Sequence, residues 1–309
     1  MLHLRLLMSA ILIPSTIGLF AWDHHLGDSA PVLFVLVMLI SARCIWEFVT
    51  LTRNAGFQPN LVLCLLSSWL LLLLTWAQNY PWGRWELGWA DLRFVNLFGV
   101  FGITAVMLLM NAVFRFPLHD SGTDSNSAPS KAGANIGTLG IEFFCVAYLG
   151  VLLAMTCQLR WVGKGEGYFA LGAMVVATKM GDVGAYTFGR LIGGAKMTPK
   201  LSPGKTWSGG VGHVATAGLA AVAWLCWLGP MISTGWHAWN VVNATLFGVV
   251  VGFTGLVGDL AESLIKRDVG AKDAPILLPG FGGLLDLMDS LLLAGPVALG
   301  MWTLLSSMR

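Results

Sequence analysis

The chain has 309 residues, of which 56% are hydrophobic and only 11% charged, with a mean hydropathy of +0.74. A soluble domain carries about 25% charged residues, so there are too few here to cover a water-facing surface, and the composition excludes a soluble globular protein. The net charge of +2 discriminates little, because the charges are segregated by side. Cys44, Cys64, Cys145, Cys157 and Cys226 lie within or at the ends of apolar runs and form no CxxC. They read as small buried hydrophobes, with neither a disulfide framework nor a zinc site indicated.

The first run, MLHLRLLMSAILIPSTIGLFAW, places Arg5 in an apolar stretch but has no small-x-small cleavage site before Trp22. A retained first helix is expected, with Pro14 as a candidate kink. About 20 apolar residues span the hydrocarbon core. Nine runs meet that length, near 4–22, 32–50, 61–77, 94–113, 137–157, 167–188, 209–232, 240–259 and 284–305. The expected fold class is therefore all-α, a polytopic integral membrane protein with about nine transmembrane helices. The polar, turn-rich stretch at 117–136 reads as a cytoplasmic linker between N-terminal transmembrane helices at 1–116 and a C-terminal transmembrane part at 137–309.

With the N-terminus inside, Arg5, Arg43, Arg53, Arg115, Lys131, Arg190, Lys196, Lys200, Lys205, Lys266, Arg267 and Lys272 share the inner side. Arg84, Arg93, Arg160, Lys164 and Arg309 fall outside, and Lys179 is intramembrane. The positive-inside rule then puts the loops after the sixth and eighth runs in the cytoplasm. Trp76, Trp82, Trp85 and Trp89 are read as an interfacial aromatic belt. Gly248 and Gly252 form a GxxxG read as a close helix contact. No internal repeat is visible, which weakens an inverted-repeat transporter reading.

Two segments carry chemistry. At the end of the eighth run, Asp259, Glu262, Ser263 and Lys266 are spaced i, i+3, i+4, i+7, so a continuing helix lines them along one face. Carboxylates are hard oxygen ligands for magnesium, and Lys266 with Arg267 suits phosphate oxygens; a helix end bearing i,i+4 ion pairs is the plainer alternative. Gly280, Gly282 and Gly283 then precede Asp286 and Asp289. The helix dipole accounts for one acid in a first turn, whereas two on one face entering an apolar helix fit a divalent cation held against substrate phosphates.

The partner segment is 181–212, with Arg190, Lys196, Lys200 and Lys205 on a glycine- and proline-rich loop. Its SPGKT lacks the first glycine of a Walker A motif, since position 199 is Pro199, and no strand is expected before it. Lys205, Ser202 and Thr206 can still hold a triphosphate with backbone N–H groups; a basic patch drawn to anionic lipid is the alternative. His213 is read as a structural histidine, Lys179 and Asp182 as a local ion pair, and Glu142 as an intramembrane acid without an assigned role.

SPGKTW at 202–207, GDLAESLIKR at 258–267, KD at 272–273 and PGFGGLLDLMD at 279–289, with DVGAY at 182–186 and GR at 189–190, resemble the phosphatidate cytidylyltransferase (CDP-diacylglycerol synthase) family. The resemblance covers roughly 180–290 in order and spacing. It departs at Phe281, where the family usually has His, at Leu287, where it usually has Arg, and at Pro275, where a small residue is expected.

The resemblance implies a membrane-bound nucleotidyltransferase that converts CTP and phosphatidate to CDP-diacylglycerol and pyrophosphate in phospholipid biosynthesis, with Mg2+ as cofactor. It places Asp259, Asp286 and Asp289 on metal, with Lys266 and Arg267 also catalytic. Ser202, Gly204, Lys205, Thr206, Lys272, Asp273 and Asp182 complete the substrate-binding set. The expected partners are CTP and phosphatidate from the bilayer, with a homodimer allowed and no nucleic acid. The expected location is a bacterial-type inner membrane with the site facing the cytoplasm. Two alternatives stay open: a CTP-dependent kinase or cytidylyltransferase for a polyprenol- or phytol-type lipid, and a non-catalytic transporter or scaffold.

Overall fold

Each of the nine apolar runs folds as a helix in the computed structural model, which describes residues 2–79, 92–115, 134–163, 165–232, 238–271 and 282–306. In chain order these are α1 (Leu2–His25), α2 (Pro31–Asn54), α3 (Leu61–Ala77), α4 (Leu92–Arg115), and α5, a rod over 134–161 that passes through a π-helical turn at Val146–Val151. Then come α6 (Gly167–Leu191), α7 over 207–232, α8 (Val241–Asp268) and α9 (Leu284–Ser306). Between α6 and α7 lies an antiparallel hairpin of β1 (Lys196–Thr198) and β2 (Ser202–Thr206), the only sheet among the described residues.

Six of the helices (α2, α4, α5, α7, α8 and α9) are long and apolar enough to cross a membrane, and α3 is apolar but shorter. α6 carries Lys179 and Asp182. The protein is a multi-pass integral membrane protein. The expected linker lies outside the described residues apart from 134–136, which open α5. Trp82, Trp85 and Trp89 lie outside them too, but Trp76 corrects the aromatic-belt reading: it is buried in α3 and its Nε1 donates to Ser29 O at 2.9 Å.

Helix starts follow local chemistry. Asn60 and Asn240 cap α3 and α8 by accepting from Leu63 N and Asn243 N, which satisfies N–H groups the helix itself leaves unpaired. Buried carboxylates extend the device across the bundle. Asp23 accepts from Val32 N at 2.7 Å, and Glu142 from Asn60 N at 2.7 Å. Glu47 accepts from Leu284 N at 3.0 Å and Leu285 N at 2.8 Å. Glu142 thus holds the start of α3. Packed away from water, such N–H groups need side-chain partners.

The tightest packing is among α6, α7, α8 and α9, and it rests on small residues, as in many membrane bundles. A Cβ on Gly252 would meet Ala217 Cβ at 2.4 Å, and one on Gly248 would meet Ala221 Cβ at 2.5 Å. The GxxxG therefore seats α8 on α7. α9 also packs against α2 and α5, which brings the N-terminal helices to its first turn.

Candidate active site

α8 continues past the apolar run to Asp268, so Asp259, Glu262 and Lys266 rise along one face of its last turns. α9 comes close to that face because residue 258 is glycine: a Cβ there would stand 2.6 Å from Asp289 O. Gly258→Ala is accordingly expected to push α9 away from α8, costing about 1–3 kcal/mol as overpacking does and separating Asp289 from Asp259. A lower thermal midpoint together with reduced turnover of the purified protein checks this.

Asp259, Glu262 and Asp289 each offer an oxygen, and these oxygens all lie within 4.8 Å of one another. Glu262 and Asp289 are buried, and Glu262 Oε1 has no hydrogen-bond partner among the described residues. Three hard oxygen donors, one of them buried and unpartnered, fit a divalent cation. Asp286, expected among the metal ligands, adjoins Glu262 but is not one of the three: its Oδ1 is 3.0 Å from Lys266 Nζ and its Oδ2 accepts from Gly283 N at 3.0 Å. Lys266 also pairs with Glu262 at 2.8 Å, so one ammonium ties α8 to the first turn of α9. The turn before that helix needs Gly282, whose φ is +93°, a conformation open mainly to glycine.

The 202–206 segment joins the acids from the other side. It forms strand β2, paired with β1 through Lys196↔Thr206 and Thr198↔Ser202, where a loop with no preceding strand was expected. The chain turns back at Lys200–Leu201 and then enters α7 directly. Lys205 on β2 lies 2.7 Å from Asp259 Oδ2. Thr206 caps α7, its Oγ1 accepting from Gly209 N at 3.1 Å. Arg267 Nε donates to Leu201 O at 3.4 Å, which docks the hairpin tip on the end of α8. Arg190, expected on the loop, lies in the last turn of α6 and donates to Tyr186 OH at 2.7 Å.

A cavity of about 410 Å³ opens between α6, the hairpin, α7 and α8, lined by Tyr186, Gly189, Arg190, Gly204, Lys205, Thr206, His213 and Asp259 among others. The structure thus gathers Asp259, Lys205, Gly204 and Thr206 on one wall and Glu262, Asp289, Lys266 and Asp286 behind it, with Ser202 and Arg267 at the hairpin. Asp182 lies 3.5 Å from Lys179 and 3.7 Å from buried His213. Lys179 itself reaches across to α9, donating to Leu287 O at 2.9 Å and Ser290 Oγ at 3.0 Å. Lys272, Asp273, Pro275 and Phe281 lie outside the described residues.

A family model described as the cytidylyltransferase family matches residues 3–305. The chain belongs to the cytidylyltransferase family. It is 32% identical over 265 residues to a phosphatidate cytidylyltransferase of Mycobacterium leprae (strain TN), covering 84% of this chain and 75% of that one. The phosphatidate cytidylyltransferase of Mycobacterium bovis (strain ATCC BAA-935 / AF2122/97) is 29% identical over 84% of this chain and 76% of its own. That of Brucella suis biovar 1 (strain 1330) is 41% identical over a shorter stretch, 37% of this chain and 39% of the relative.

In this cytidylyltransferase, residue spacing in the sequence locates the Asp259–Lys266 face but does not show that Glu262, rather than Asp286, gathers with Asp259 and Asp289. The only sequence signal for Glu262 is its place one turn after Asp259. Glu47 and Lys179, which fix α9, carry no motif beyond being charged residues in apolar helices. Chemically, the arrangement offers an acidic trio that could hold a divalent cation, with two ammonium groups beside it, and Asp259 and Lys205 lining a cavity large enough for a nucleotide's phosphates.

Proposed function

We propose that this chain transfers the cytidylyl group of CTP to phosphatidate. A lipid phosphate oxygen attacks the α-phosphorus of CTP, a new P–O bond forms, and the bond to the β-phosphate breaks with release of pyrophosphate. The observation that carries this reading is the meeting of Lys205 from the hairpin with Asp259 at 2.7 Å, beside the trio Asp259, Glu262 and Asp289. The names of the relatives support the same substrates.

Transfer between phosphates asks the protein mainly for alignment and charge neutralisation. Lys205 neutralises polyphosphate oxygens at the cavity mouth, and Gly204 with the backbone of β2 lets the phosphates approach closely. Lys266 supplies a second cation from behind, oriented by Glu262 and Asp286. Arg267 holds the hairpin tip so that Lys205 keeps its place. Thr206 acts through the start of α7, its hydroxyl being engaged in the cap, and Ser202 pairs across the hairpin. Asp182 anchors Lys179, and Lys179 in turn holds α9. The attacking phosphate oxygen is already ionised near neutral pH, so no side chain needs to remove its proton.

Asp259, Glu262 and Asp289 would hold Mg2+, which when bound supplies positive charge against the triphosphate. By resemblance, Lys272 and Asp273 complete the substrate-binding set, Lys272 as a further phosphate clamp. The clustering of Lys196, Lys200, Lys205, Lys266 and Arg267 around this mouth favours a cytoplasmic face of a bacterial-type inner membrane.

Two labelled nucleotides test the reaction. With detergent-purified protein, phosphatidate and Mg2+, label from [α-32P]CTP should enter the lipid phase and label from [γ-32P]CTP should leave as pyrophosphate. EDTA should abolish both, and added Mg2+ should restore them. Passage of the γ label into lipid would instead make the chain a lipid kinase, and no turnover of CTP by folded protein would remove the enzymatic reading.

A further inference from the structure

The start of α9 sets where Asp289 meets the acidic trio, and within α9 Asp286 takes only Gly283 N, just before the helix, leaving Leu284 N and Leu285 N to be held from outside. The fixing group comes from α2. Glu47 is fully buried at 0% exposure. Its Oε1 accepts from Leu284 N at 3.0 Å and from Arg43 Nε at 2.7 Å, and its Oε2 accepts from Leu285 N at 2.8 Å.

The first N–H groups of a helix have no partner inside it, and an N–H left unmet away from water is costly. A carboxylate is also favoured there by the helix dipole. One buried residue thus holds two consecutive amides, two and one positions before Asp286. A shift of α9 along its axis or about it breaks both bonds at once. It also moves Asp289 off Asp259 and Glu262, and Asp286 off Lys266.

We infer that Glu47 is a positioning residue for the reaction: through the α9 start it sets the location of Asp289 within the cation-holding trio, so the N-terminal helices are part of the catalytic apparatus. This rests on the reading of Asp259, Glu262 and Asp289 as cation ligands. Arg43 aims the Glu47 carboxylate through its 2.7 Å bond, its guanidinium also lying 4.3 Å over the Trp46 ring.

A matched control is built into the fold. Glu142 is likewise buried, at 2% exposure, and accepts from Asn60 N at the start of α3, a helix that carries no residue of the site. Glu47→Gln keeps the size of the side chain but turns an NH2 group towards a backbone N–H and loses the charge facing Arg43.

The test is Mn2+ binding by nucleotide-free, detergent-purified full-length protein, read from the free Mn2+ signal in electron paramagnetic resonance. Residues that orient metal ligands typically change affinity by about tenfold or more. Glu47→Gln should therefore raise the Mn2+ Kd about tenfold, while Glu142→Gln stays within about twofold of wild type at a similar loss of thermal midpoint. If Glu47→Gln is not recovered as monodisperse protein, Glu47→Asp, which keeps the charge on an arm one methylene shorter, is compared in its place with the same outcomes. Unchanged Mn2+ affinity in the Glu47 variant, or equal weakening in the Glu142 variant, overturns the inference. Absence of Mn2+ binding by the wild type overturns the cation-ligand reading first, and this inference with it.

Discussion

Asp259→Asn is expected to lower pyrophosphate release from CTP and phosphatidate about a thousandfold, mainly in kcat. Asparagine fills the same space, and the aspartate side chain is 34% exposed, so the helix bundle should assemble unchanged. What goes is one charge from the trio that would hold the cation. A bound divalent ion contributes several kcal/mol of charge stabilisation in the transition state, and each decade of rate corresponds to about 1.4 kcal/mol. The same change frees Lys205 from its partner at 2.7 Å. A freed ammonium binds phosphate at least as well, so the KM for CTP should hold steady or fall while kcat collapses. That split separates loss of a ligand from loss of a binding site. Turnover within about threefold of wild type would remove Asp259 from the proposed set.

The largest effect on stability is expected at Lys266. Its ammonium lies 2.8 Å from Glu262 and 3.0 Å from Asp286, with Glu262 almost wholly buried. Removing one partner of a buried ion pair costs about 3–5 kcal/mol, because the other charge stays behind uncompensated. Lys266→Met should therefore lower the thermal midpoint more than any other single change at the site, and abolish turnover as well. The sign of a second change is informative. In a Lys266→Met, Glu262→Gln double variant the more deeply buried of the two stranded carboxylates is gone and only that of Asp286 remains, so part of the lost midpoint should return while turnover stays absent. A double variant less stable than Lys266→Met alone would show that the pair does not act as the geometry implies.

The helices were legible because hydrocarbon imposes a length on apolar runs; each run became a helix, and six of those described are long and apolar enough to cross a membrane. The face bearing Asp259, Glu262 and Lys266 was legible for a similar reason: helical spacing is local, and α8 continues without a break. What the sequence hid was tertiary. Glu47 and Leu284 are 237 positions apart, and no periodicity connects them. That the oxygens of Glu262, and not Asp286, gather with those of Asp259 and Asp289 follows from how closely α9 approaches α8 at Gly258, a distance that spacing along one chain segment does not encode. The hairpin was hidden by its own composition, since Pro203 and Gly204 read as loop residues while β2 gains its partner from the short β1. Trp76 looked interfacial by its place near a helix end, yet the α1–α2 connection covers it and takes its N–H.

The central claim is that acids from α8 and α9 and the lysine of the hairpin serve one nucleotide. Its most direct measurement is the stoichiometry of products formed by purified wild-type protein from CTP and phosphatidate in Mg2+. The account predicts one pyrophosphate for each CDP-diacylglycerol, with both lost together in Asp259→Asn and in Lys205→Ala. Pyrophosphate and lipid nucleotide still formed at wild-type rates when Lys205 is replaced, or a folded protein that consumes no CTP at any Mg2+ concentration, would contradict it.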